Sequence, residues 1–205
     1  TKKLDGADIS EIEVSKEEIK AAADSMDSEF MRVLEKAASN IRKYHSKQVR
    51  NSFVMTEENG IVLGQKIVPV SVAGIYVPGG TAAYPSTVLM DTIPAKIAGC
   101  GSVIMVSPPG KDGKLNPAVL ASAYVAGVDR VFRVGGAQAI AALAYGTETI
   151  PRSDKIVGPG NIYVAEAKKQ VSGVVSIDMI AGPSEILIIA DGKSNPSVVA
   201  ADMLS

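Results

Sequence analysis

Arg130-Val131-Phe132-Arg133-Val134-Gly135-Gly136-Ala137-Gln138-Ala139-Ile140-Ala141-Ala142-Leu143-Ala144-Tyr145-Gly146 passes from a short β-rich run, through a glycine pair, into an almost wholly alanine and aliphatic stretch. A strand pattern gives way to a helix. The same succession recurs on both sides. β-Rich runs at 74–77, 102–107, 130–133, 154–157, 175–177 and 186–190 alternate with segments at 86–99, 117–126, 136–144, 160–171 and 196–205 that are long enough for crossover helices. Strands joined by crossovers pair in parallel, so the fold class is α/β with a mostly parallel sheet.

Upstream the composition is different. The first 60 residues hold 22 of the 43 charged residues, no proline and only two glycines, whereas all 11 prolines and 17 glycines follow. Ser15-Lys16-Glu17-Glu18 has the capping-box pattern, and Ile19, Ala22, Met26, Phe30, Leu34, Ala37 and Ile41 follow at helical spacings. One or two amphipathic helices are predicted over about 15–50, with a break within Asp24–Asp27, where Ser25 and Asp27 are good caps. The run Ile61 to Val70 reads as a hairpin of two short strands about a turn containing Gly64, with Pro69 confining the second strand to an edge or end.

Composition excludes several classes of function. A formal net charge of −1 and an aromatic content of 4% provide neither a basic surface nor stacking platforms, so no nucleic-acid partner is expected. The longest apolar run is the seven residues from Ala139 to Tyr145, well short of the roughly 20 a bilayer helix needs. No membrane span is expected, and the polar N-terminus lacks a secretory signal's apolar core, which points to a cytoplasmic protein. Cys100 is the single cysteine and cannot form an internal disulfide. Between Gly99 and Gly101, it reads as a small residue in a tight connection rather than a nucleophile. His45, the one histidine, has no acid, histidine or cysteine at metal-ligand spacing and reads as a surface or boundary residue.

Four loops carry candidate chemistry. Gly158-Pro159-Gly160-Asn161-Ile162-Tyr163 follows a predicted strand and opens a predicted helix, where backbone amides and the positive helix end favour phosphate. The dinucleotide fingerprint is incomplete: Tyr163 stands in place of the third glycine. Asp178, twenty residues beyond Gly158, has the separation of a ribose-binding acid but lies in another motif. A plain strand-to-helix turn has the same sequence and is commoner. Gln138 offers one polar group at the edge of an apolar helix, either to orient a ligand or to cap the loop backbone. Tyr76, before Pro78-Gly79-Gly80, is either a stacking surface or a core aromatic. Ser184, in Ala181-Gly182-Pro183-Ser184-Glu185, lacks a nucleophile elbow and reads as a substrate-holding or turn hydroxyl.

Taken in order, Gly135 to Gly146, Gly158 to Asn161 and Asp178 to Glu185 resemble the histidinol dehydrogenase family, and the resemblance runs from the N-terminal helices to Ser205. It implies two incomplete Rossmann-like units, the second inserted into the first: residues 1–75 as helices, hairpin and the start of domain one, 76–184 as the NAD-binding insertion, and 185–205 as the return to domain one. It also implies a zinc-dependent homodimer that oxidises L-histidinol to L-histidine through the aldehyde with NAD, the last step of histidine biosynthesis. Tyr76, Gln138 and Asn161 match the family's NAD-contacting positions, and Ser184 matches a substrate-contacting one.

In the family, the zinc ligands and the Glu-His pair that moves protons come from sequence beyond the point matching Ser205. Neither catalytic nor metal-ligating residues are therefore expected here, and the chain alone is expected to be inactive. Strands left with unpaired edges are expected to make it self-associate. Two further readings stay open: a related dehydrogenase of another small hydroxylated substrate, and a non-catalytic nucleotide-binding module.

Overall fold

Apolar residues at consecutive positions of the predicted strands leave both faces of a sheet in need of cover, and the structure supplies it from two sides. A computed structural model describes residues 6, 9, 11–79, 83–180 and 186–204. The main sheet has the spatial order β1-β6-β5-β4-β7-β8. Its strands are β1 (Glu13–Val14), β4 (Val72–Tyr76), β5 (Ser102–Ser107), β6 (Arg130–Arg133), β7 (Lys155–Val157) and β8 (Ser176–Ile177). All pairings are parallel except that of β1 with β6. The mostly parallel α/β fold expected from the sequence is observed.

The helices are α1 (Lys16–Asp24), α2 (Ser28–His45), α3 (Pro85–Ala98), α4 (Pro117–Ala126), α5 (Gly136–Tyr145), α6 (Ile162–Val171) and α7 (Pro196–Met203). Ile75, Val77, Val103 and Met105 face α1 to α4, whereas Tyr76, Ile104, Val106 and Ile156 face α5 and α6. This two-sided burial explains why β5 reads as an uninterrupted apolar run rather than an alternating one. The break between the first helices falls where the sequence placed it: Ser15 caps α1 by accepting from the Glu18 amide, and Asp27 caps α2 by accepting from the Phe30 amide.

Three features differ from expectation. The hairpin pairs β2 (Phe53–Thr56) with β3 (Val62–Gln65), and its turn includes Gly60, whose φ is 83°. Gly64 is a strand residue opposite Val54. The Asn59-Gly60 pair, with its ready access to positive φ, outweighed the signal at Gly64. Residues 186–190 form no strand: Leu187 and Ile189 are 87% and 91% exposed, and no described strand lies alongside to pair with them. The two-residue β1 was not foreseen. It is clipped to β6 by Arg130, which forks onto the Glu13 carboxylate at 2.7 Å through both Nε and Nη2.

Candidate functional site

The sheet order places a topological switch at β4. The chain proceeds from β4 outward through β5 to β6, then returns past β4 to lay down β7 and β8. Helices therefore leave the carboxyl ends of β4 and β7 in opposite directions, opening the crevice where ligands of such sheets bind. The loops after β4, β6 and β7 meet there.

Tyr76, the last residue of β4, joins them. Its hydroxyl accepts from the Gly136 amide at 3.1 Å, securing the first turn of α5. Its backbone passes beneath Gly158, where a Cβ would stand 2.1 Å from the Tyr76 carbonyl oxygen. Gly158 has φ 112°, so both conformation and space require glycine there. Gly135 is similarly confined, with a hypothetical Cβ 2.4 Å from Pro108 Cβ, so the loop after β5 packs against the same point. A cleft of about 260 Å³ opens beside it, lined in part by Pro78, Gly79, Ser107 and Asn116.

The Tyr76 ring is 3% exposed and belongs to the core on the α5–α6 side. In this arrangement the side chain supports the glycine loops from within. Gln138 lies in the first turn of α5, exposed, with its amide folded over Gly136: Oε1 is 3.1 Å from where a Cβ on that glycine would be. Its carboxamide makes no hydrogen bond among the described residues, so it does not cap the helix. Asn161 does cap α6, its Oδ1 accepting from the amides of Tyr163 and Val164 at 3.1 Å each. That orientation leaves its Nδ2 as the group available to a ligand. Ser184 lies outside the described residues, as do Gly80 and Thr81 of the loop after β4.

Asp178 has another role than that of a ribose-binding acid. It follows β8, accepts from the Gly158 amide at 2.9 Å, and pairs with Lys168 of α6. Lys168 is 4% exposed and also donates to the Gly158 carbonyl at 3.0 Å. Near this pair stands Asp91 of α3, whose Oδ2 is buried without a hydrogen-bond partner among the described residues. Burial, reinforced by the Asp178 charge and opposed by Lys168, pushes the Asp91 carboxyl up to about 7. Sequence reasoning missed Asp91 and Lys168. Asp91 had a legible signal, a lone acid within Val88-Leu89-Met90-Asp91-Thr92-Ile93, whereas nothing in Glu166-Ala167-Lys168-Lys169 distinguishes the buried lysine from its neighbour.

The remaining candidates lie elsewhere. His45 Nδ1 is 2.6 Å from Gln48 Oε1 at the end of α2. Burial pushes the Cys100 thiol up, opposite to what a thiolate nucleophile needs. Among the described residues no three His, Cys, Asp or Glu side chains gather as metal ligands, and no helix is long and apolar enough to cross a membrane.

The histidinol dehydrogenase family model matches residues 1–205. The chain belongs to the histidinol dehydrogenase family. It is 59% identical over 205 residues to histidinol dehydrogenase from Clostridium acetobutylicum and 56% to that from Geobacillus kaustophilus, in both cases covering 100% of this chain and 48% of the relative. The crystal structure of histidinol dehydrogenase from Elizabethkingia anophelis matches with a TM-score of 0.90 at 45% identity, over 99% of this chain and 47% of that one. The chain thus spans about half the length of the curated relatives it matches.

Proposed function

We propose that this chain forms the dinucleotide-binding side of an NAD-dependent, zinc-requiring dehydrogenase that oxidises L-histidinol to L-histidine through the aldehyde. One observation supports the NAD site above the others. Gln138 and the Nδ2 of Asn161 stand on the first turn of one helix and at the cap of another, beside the switch-point crevice, with no hydrogen bond from either group inside the described structure. Amide groups free to donate and accept at a switch point fit the polar edges of a dinucleotide, and the positive ends of α5 and α6 favour its phosphates.

In this reading Gln138 and Asn161 hold the nucleotide, and Tyr76 acts from beneath through its bond to Gly136. Bound NAD supplies the hydride acceptor for both oxidation steps. Ser184 contacts L-histidinol at the end of the segment that Asp178 begins. The described residues do not assemble a zinc site; in this reading the metal and the proton-moving groups are held by other residues of the assembled enzyme. On the same reading, residues 76–184 supply the NAD-binding insertion between 1–75 and 185–205, built on a sheet whose central strand β4 begins at Val72, and the enzyme acts as a cytoplasmic homodimer.

Turnover tests the reading. The protein as its gene encodes it, supplied with NAD and zinc, is expected to form NADH from L-histidinol and to yield L-histidine. Faster NADH formation from another small amino alcohol or polyol would transfer the assignment to a related dehydrogenase. No NADH from any of them, with NAD still bound, would favour a nucleotide-binding module.

A further inference from the structure

The loop from Gly158 to Asn161 is held by a device more costly than a turn requires. A buried lysine must exchange water for specific partners, and burying an ion pair seldom adds net stability over apolar packing. Lys168 nevertheless lies buried on the inner face of α6 with its ammonium on the Gly158 carbonyl and the Asp178 carboxylate. Asp178 in turn takes the Gly158 amide at 2.9 Å and the Met179 amide at 2.6 Å. Both the amide and the carbonyl of Gly158 are thereby fixed by side chains from separate elements, while Tyr76 presses on the same residue from β4.

We infer that Lys168 and Asp178 are positioning residues that hold the Gly158–Asn161 loop in register for the nucleotide, an inference that rests on the NAD reading of that loop. Only Pro159 and Gly160 separate Gly158 from Asn161, so a shift at the glycine moves the cap of α6 and with it the Asn161 amide. Asp178 also begins the segment leading to Ser184. The pair therefore ties the nucleotide loop to the start of the proposed substrate segment.

The test uses the protein as its gene encodes it, comparing Lys168→Met and Lys168→Arg with the parent by melting temperature, kcat and the KM values for NAD and L-histidinol. Lys168→Met is expected to raise the KM for NAD about tenfold, as displacement of a positioned group does, with a smaller change for L-histidinol. Lys168→Arg, which restores charge and donors, is expected to recover part of that loss. A folded Lys168→Met protein with unchanged KM for NAD would overturn the inference. So would equal losses for both substrates that follow the fall in melting temperature and are not relieved by Lys168→Arg. If Lys168→Met does not fold, Asp178→Asn reads the same quantity: a selective rise in the KM for NAD supports the inference and its absence overturns it. Gln138→Ala and Asn161→Ser separate the two ideas. If they weaken NAD binding and Lys168→Met does not, positioning alone fails; if they leave it unchanged, the nucleotide reading itself fails.

Discussion

Gly158 and Asp91 both stand beside the Lys168–Asp178 pair, the glycine confined by its backbone and the acid buried without a hydrogen-bond partner for Oδ2 among the described residues. With φ at 112° and a hypothetical Cβ 2.1 Å from the Tyr76 carbonyl oxygen, Gly158 admits no side chain without displacing β4 or the loop. Gly158→Ala is expected to cost on the order of 3 kcal/mol, read as a lower urea midpoint. An unchanged midpoint would show that the loop can relax. Asp91 makes a pH-dependent prediction. Its folded carboxyl is pushed up to about 7, so the folded state holds the proton more tightly than the unfolded chain does. That contribution is complete below the unfolded value of about 3.9 and is lost as pH rises through about 7. Asp91→Asn is therefore expected to gain stability relative to the parent between pH 5 and 8, by about 2 kcal/mol after allowance for relaxation. Denaturation at the two pH values checks it, and parallel behaviour would contradict it. Lys168 and Asp178 are the charged groups facing Asp91.

At the scale of elements, Asn161 serves two purposes that can be separated. Its Oδ1 stabilises α6, whereas its Nδ2 is the proposed ligand contact. Asn161→Ala is expected to lose about 1 kcal/mol of stability along with NAD affinity. Asn161→Ser, which retains a capping oxygen, is expected to recover the stability but not the affinity. Recovery of both by serine would remove the amide contact from the account. Helices and central strands were legible because their caps and apolar periods are local: Ser15, Asp27 and Asn161 each sit where a cap was expected or opens a predicted helix. Elements that depend on a distant partner were not. β1 exists through its register with β6 and the Glu13–Arg130 fork, and 186–190 has a strand's composition but no neighbour. Tyr76 and Asn161 were legible as candidate nucleotide contacts, but sequence could not show that one ring is buried and one carboxamide oxygen already occupied.

Across the whole molecule, the parallel order was foreseeable from alternating strands and crossovers, but the return past β4 was not, and that return creates the crevice. The same scale carries a prediction about surface. Both strands of the hairpin are exposed, with Phe53, Val54, Val62 and Leu63 between 52% and 74% accessible, and Leu187, Ile189 and Leu204 are nearly bare. The chain of 205 residues by itself is expected to self-associate with rising concentration. A monodisperse, heat-resistant monomer by chromatography with light scattering would contradict that. The central claim is that the loops gathered by Tyr76 bind NAD. Its most direct test is calorimetric titration of NAD into the protein as its gene encodes it, alongside Gln138→Ala and Asn161→Ser. Saturable binding weakened by each substitution is the expected result; binding that survives both unchanged would place the nucleotide elsewhere.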